Sequence, residues 1–203
     1  QKQIINYESD KFLTTRKFIR ARDGTPVPVT ITHLKDIELS SAPILFYGYG
    51  SYGLNTEAYF RNSITPLLNR GFIHVLINIR GGGEMGKYWY EQGRMFNKLN
   101  TFTDFNDGVK EVLEMGIGNK NKVFAQGGSA GGLLMGAIIN LEPELYTGIL
   151  SAVPFVDVLT TISDASIPLT TFEYDEWGNP ANKEEYMYMK KYSPYDNISN
   201  LNY

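Results

Sequence analysis

The chain has 203 residues, 42% of them hydrophobic and 13% aromatic, the composition of one globular domain with a sizeable core and not of a disordered segment. Nineteen Lys and Arg against 22 Asp and Glu give a net charge of −3, which leaves no positive excess for nucleic acid or an anionic membrane surface. With no cysteine, disulfides, thiolate catalysis and cysteine-based metal sites are excluded, and the composition fits a reducing, cytoplasmic setting.

From the N-terminus, "QKQIINYESD" has neither an initiator Met nor a signal-peptide pattern, and it predicts a piece of a longer protein. "KFIRARDGTPVPVTITHLK" reads as a hairpin turning at Asp23-Gly24, with Val27, Val29, Ile31 and His33 alternating onto one face as the antiparallel edge of a sheet. "APILFYGYG" and "GFIHVLINIR" are nearly continuous apolar runs, as in strands covered on both faces, and "NSITPLLNRG" between them predicts a helix closed by Gly71. Behind a Thr/Asp start, Phe105, Val109, Val112 and Leu113 fall on one helical face. "KVFAQGG" predicts the next buried strand, Leu133, Leu134, Ala137 and Ile138 line the helix after it, and "TGILSAVPF" is another strand. Strands alternating with helices imply an α/β fold, a mostly parallel sheet with right-handed crossovers and helices on both faces. No internal repeat, low-complexity tract or linker divides the chain.

Gly127, Ser129 and Gly131 form G-x-S-x-G between the predicted strand and helix, the context in which a tight turn lifts a nucleophilic hydroxyl above a sheet. Glycines at 127, 128, 131 and 132 leave room for that turn, and the Ala130 N–H is placed to receive an oxyanion at the helix start. A glycine-rich packing turn is the alternative. A serine nucleophile needs a base, normally a histidine oriented by a carboxylate. Only His33 and His74 are present; both sit in apolar strand patterns and both precede the serine, so they read as packing residues and the base is expected to be missing from this chain. Two glycine-rich loops, "YGYGSYG" and "RGGGEMG", follow buried strands at the carboxyl ends where such sheets place ligands. A phosphate-binding role for them is disfavoured because neither carries a Gly-Lys-Ser/Thr ending or feeds a helix directly.

The stretches "YGYGSYG", "RGGGEMGKYWYEQG", "NTFTDFNDG", "GGSAGGLLMGA", "VPFVDVLTT", "SIPLTT", "DEWGNP" and "YSPYDN" resemble, in this order, the prolyl oligopeptidase family of serine peptidases, and most closely its oligopeptidase B branch. The resemblance implies an α/β-hydrolase catalytic domain capped by a β-propeller that admits short peptides. It makes Ser129 the nucleophile and Tyr49 the phenol that completes the oxyanion hole with Ala130. It also implies cleavage after Arg or Lys, with Glu173 and Asp175 as the acidic side chains of the P1 pocket and Tyr52 and Glu57 as further substrate-binding residues. Phe172 stands where the family has a small glycine, Asp175 where it has Glu, and Tyr59 where a second acidic residue would favour a basic P2.

The family's catalytic Asp and His follow "YSPYDN". Residues 1–203 are therefore expected to be a partial peptidase domain, without propeller or C-terminal Asp/His region, and nearly inactive alone. The expected partners are short basic peptides and a separate chain supplying the Asp and His; no cofactor, metal, nucleic acid or membrane is expected. A serine esterase or acyl-peptide hydrolase is one alternative, and a non-catalytic α/β-hydrolase-like binding module or decayed gene product another.

Overall fold

The computed structural model describes residues 8–59 and 61–203. In chain order the main elements are β1 (Phe12–Arg20), β2 (Pro26–Leu34), β3 (Ile44–Tyr47), α1 (Thr65–Leu68), β4 (Ile73–Ile77), α2 (Lys87–Glu91), α3 (Leu99–Glu114), β5 (Val123–Gly128), α4 (Ala130–Leu141), β6 (Gly148–Ala152), α5 (Val158–Ser163), α6 (Tyr174–Trp177) and α7 (Lys183–Lys190). The strands form one sheet in the order β1-β2-β4-β3-β5-β6. The β1–β2 and β2–β4 pairs are antiparallel, whereas β4, β3, β5 and β6 run parallel to one another.

The hairpin turns where the sequence places it. Gly24 adopts φ 86°, the Asp23 carboxylate accepts from the Thr25 N–H at 3.0 Å, and Val27, Val29, Ile31 and His33 share the buried face. Helices lie on both faces of the sheet. α1 covers the side that carries His74 and Leu76, while α3 lies on the opposite side, where a Cβ on Gly108 would stand 2.9 Å from Ile77. Phe46, Phe102, Phe105, Val109, Leu133 and Leu134 are fully buried in the layer between α3, α4 and the sheet.

Three helices differ from the sequence expectation. α2 begins at Lys87 directly after the "RGGGEMG" loop, with Gly86 as its N-cap at φ 89°, where the sequence reading expects no helix to follow. α1 is a single turn with Pro66 in its first positions, although Gly71 closes the segment at φ 83° as expected. α3 begins at Leu99, a turn earlier than its Thr/Asp signal, and Asp104 does not cap it. That carboxylate is instead fully buried and grips the Arg80 guanidinium, with Nε at 2.8 Å and Nη2 at 2.5 Å; the Arg80 N–H adds a third bond at 3.1 Å. A forked cation satisfies a buried carboxylate better than a helix terminus can, so the pair fixes the start of the "RGGGEMG" loop to the inside of α3.

Candidate active site

β3 and β5 are adjacent parallel strands, with Tyr47 level with Gln126, so Tyr49 and Ser129 leave neighbouring strand ends almost side by side. Ser129 has φ 56° and ψ −119°, a conformation that costs a non-glycine residue about 1–3 kcal/mol and is kept where function requires it. The flanking glycines make the turn possible: a Cβ on Gly127 would lie 2.2 Å from the Gly131 carbonyl oxygen, and one on Gly132 would lie 2.5 Å from Pro154 Cα. Four backbone bonds hold the turn, from Ser129 N–H to the Ala152 carbonyl at 3.0 Å and to the Ser129 carbonyl from Gly132 at 2.8 Å, Leu133 at 3.2 Å and Phe155 at 3.2 Å.

Ala130 is the first residue of α4, so its N–H has no partner within the helix and sits at the positive end of the helix dipole. The Tyr49 phenol faces the Ser129 hydroxyl. Burial raises its pKa above the usual tyrosine value, the Ser129 interaction offsets part of the rise, and Glu176 and Glu173 add to it. Tyr49 therefore stays protonated at neutral pH and can donate to a developing oxyanion.

Neither histidine reaches this place. Leu45 pairs with both His74 and Phe124, so His74 is level with a residue five positions before Ser129, about 16 Å along the sheet at ~3.3 Å per residue. His33 lies one residue farther still, and its Nδ1 is bonded to the Leu34 carbonyl at 2.7 Å. Burial, with Arg61 nearby, pushes the His74 pKa down to about 4.

The acidic segment folds back onto the Tyr49 loop. One oxygen of Glu173 accepts from the Tyr52 hydroxyl at 2.7 Å and from the Trp177 indole N–H at 2.8 Å. Glu176, only 3% exposed, accepts from the Tyr52 N–H at 2.9 Å and the Tyr90 hydroxyl at 2.6 Å. Tyr52 is held at φ 59° and meets Trp177 edge to face at 5.6 Å. Burial and the neighbouring carboxylates raise its pKa well above the usual value. Glu173 thus shares a wall with the Tyr49 loop.

Asp175 does not join it: its side chain is exposed, and its backbone carbonyl accepts from Arg94 at 2.6 Å. Residues 173, 176 and 177 share one face of the helical turn and residue 175 the other, the i, i+3, i+4 rule that also exposes Glu176 as a partner the sequence reading had missed. Phe172 is 80% exposed and does not fill the space beside Glu173. Glu57 lines a separate cleft of about 220 Å³ with Tyr47, Tyr59, Arg61 and His74, whose lining includes neither Ser129 nor Glu173. Among the described residues no cluster of three or more His, Cys, Asp or Glu could hold a metal ion, and no helix is long and apolar enough to cross a membrane.

Residues 58–203 match the prolyl oligopeptidase family. The chain belongs to this family of serine peptidases. It is 50% identical over 200 residues to dipeptidyl aminopeptidase BI of Pseudoxanthomonas mexicana, covering 98% of this chain and 28% of that protein. It is 48% identical over 198 residues to protease 2 of Moraxella lacunata, covering 97% and 29%. The solved oligopeptidase B of Trypanosoma brucei, in its closed form with covalently bound antipain, superposes with a TM-score of 0.92 at 43% identity, over 95% of this chain and 28% of that one. Oligopeptidase B of Leishmania major gives 0.93 at 42% identity, over 96% and 27%. This prolyl oligopeptidase family member therefore has the α/β-hydrolase fold and spans a little over a quarter of the length of these relatives.

Proposed function

We propose that this chain is the nucleophile-bearing part of an oligopeptidase B-like serine peptidase that cleaves short peptides after Arg or Lys through an acyl-enzyme on Ser129. The observation that carries the reading is the strained Ser129 facing the Tyr49 phenol, with the Ala130 N–H at a helix start and the Glu173 carboxylate on the same loop wall. In the reaction, Ser129 Oγ loses its proton to a base and attacks the scissile carbonyl. Tyr49 and Ala130 donate to the resulting oxyanion; its collapse breaks the C–N bond, and the leaving amine takes up the proton. Water then hydrolyses the ester and regenerates the serine.

Because His33 and His74 lie at the far end of the strands, the base and its orienting acid come from outside these 203 residues, as a further segment of the same protein or a partner chain. The 203 residues alone are then a partial peptidase domain with little activity. Glu173 is the carboxylate best placed to pair with a P1 guanidinium, and Tyr52 orients it. Asp175, exposed on the other side of the turn, and Glu57, in its separate cleft, contribute only through the longer-range charge of the site. The cysteine-free sequence supports a reducing, cytoplasmic setting.

Labelling with a serine-directed fluorophosphonate tests the core of this reading. The 203-residue chain is expected to react at close to the background rate of an unactivated hydroxyl, and the complete protein rapidly at Ser129. Fast stoichiometric labelling of the isolated chain would show a base within it and overturn the assignment. Comparing arginyl endopeptidase substrates with N-terminal dipeptidyl amides then separates the proposed specificity from one like that named for the 50%-identical relative.

A further inference from the structure

A lysine that is 1% exposed is rare, and Lys98 is also badly placed for a cation because it immediately precedes the N-terminus of α3. Its ammonium is nonetheless well used. It donates to the Gly50 carbonyl at 2.7 Å and to Ser51 Oγ at 2.9 Å, and it stands 5.0 Å from the Trp177 ring centroid and 5.9 Å from that of Phe102. Gly50 and Ser51 are the two residues after Tyr49, and Glu176 holds the N–H of the third, Tyr52. Trp177, over the ammonium, donates its indole N–H to Glu173. One buried cation therefore ties the loop carrying the oxyanion donor to the helical turn carrying the P1 carboxylate.

The geometry points to Lys98 as a positioning residue for Tyr49, which sets the phenol against Ser129 by fixing Gly50 and Ser51 and couples that placement to the Glu173–Trp177 segment. The assignment rests on the peptidase reading of Ser129. Lys98 touches no reacting atom. A misplacement of about 1 Å at an oxyanion donor lowers turnover on the order of 100-fold while leaving ground-state binding largely intact. The charged group facing Lys98 is Glu176, which favours the ammonium, whereas burial pushes its pKa down to about 8. Tyr90, bonded to the same carboxylate, and Tyr192, beside Phe102, are both raised by burial and stay neutral through this range.

The test uses the complete protein with Lys98→Met and Ser51→Ala, an uncharged ester and an arginyl amide as substrates, and fluorophosphonate labelling as a control. Lys98→Met is expected to lower kcat by about 10- to 100-fold on both substrates with KM changed less than about threefold. It is also expected to abolish a decline in wild-type kcat above pH ~8 that follows loss of the ammonium proton. Ser51→Ala, which leaves the charge in place, is expected to lower kcat by a smaller factor. A folded Lys98→Met enzyme with wild-type kcat and pH profile would overturn the assignment. Should that variant not fold, a wild-type kcat for Ser51→Ala would do the same. A wild-type protein that neither labels nor turns over either substrate removes instead the peptidase reading on which the assignment rests.

Discussion

The Glu173 carboxylate accepts a hydrogen bond from the Tyr52 hydroxyl at 2.7 Å, joining the acidic segment to the Tyr49 loop across 121 residues of chain. Under the proposed specificity, a P1 guanidinium entering there would meet a carboxylate already oriented by Tyr52 and by the Trp177 indole, which would lower the cost of organising the pair.

Glu173→Gln keeps the shape of this wall and removes its charge. It is expected to reduce kcat/KM of the complete protein for arginyl substrates by about 30-fold or more, since losing one partner of a hydrogen-bonded, desolvated charge pair costs about 2–5 kcal/mol. An uncharged ester should lose less than about threefold. Steady-state kinetics on both substrates checks this, and equal losses would make Glu173 structural. Asp175→Asn, on the opposite side of the turn, is expected to change the arginyl rate only a few-fold.

The G-x-S-x-G turn makes a sharper demand at one glycine than at its neighbour. A methyl group at Gly127 would sit 2.2 Å from a backbone oxygen, whereas one at Gly128 meets nothing closer than 3.4 Å. Gly127→Ala should therefore destabilise by roughly 2–4 kcal/mol and Gly128→Ala by under about 1 kcal/mol. Ser129→Gly should raise stability by up to about 1 kcal/mol, because glycine adopts φ 56° without strain, while abolishing labelling. Urea midpoints of the three variants decide the order.

Much of this arrangement is legible in the sequence, and the reasons for the rest are physical. The hairpin, the strand–serine–helix unit and the two glycine loops depend on local rules: a D-G turn, alternation with a period of two, and small residues where backbones meet. Lys98 obeys no local rule, because its burial is compensated by groups remote in sequence, the Gly50 carbonyl and Ser51 hydroxyl 48 and 47 residues away and the Trp177 ring. Glu176 was hidden for a different reason. The resemblance points to Glu173 and Asp175, two residues apart, whereas the chain turns helically there and brings Glu173, Glu176 and Trp177 to one side. Asp104 shows the same limit, a helix-start signal overridden by a buried arginine.

His74 gives the fold an acid-sensitive point on the face away from the site. Its pKa in the folded chain, about 4, lies below the ordinary 6.5, so between these values the unfolded chain binds the proton preferentially. Stability attributable to His74 is complete above pH ~6.5 and is lost as pH falls toward 4, by at most about 1.4 kcal/mol per pH unit. His74→Gln should flatten the unfolding free energy across that window and leave its value at pH 8 less affected. A slope unchanged by the substitution would assign the acid sensitivity to other groups.

The two edges of the sheet differ in a way that bears on association. β1, at one edge, carries Arg16, Lys17 and Arg20 along "FLTTRKFIR", and long charged side chains oppose pairing with another strand. β6, at the other, reads "GILSA", has no charge, and has no neighbour beyond it among the described residues. Leu150 there is 50% exposed and Val153, just past the strand, 85% exposed. An uncharged, apolar parallel edge with free N–H and C=O groups is the one a further strand would cover, whether from the same protein or from another copy. The 203 residues produced alone are accordingly expected to self-associate through β6. Leu150→Lys with Val153→Lys should shift the chain toward monomer in light scattering, and Leu13→Lys on the already charged β1 edge should not. Supplying in trans the segment that bears the proposed base and acid should both suppress association and raise fluorophosphonate labelling of Ser129, while Ser129→Ala should show the first effect without the second. A wild-type chain that stays monomeric at high concentration, with no gain from that segment, would mean that the β6 edge is complete as it stands and that the base must be sought within the chain.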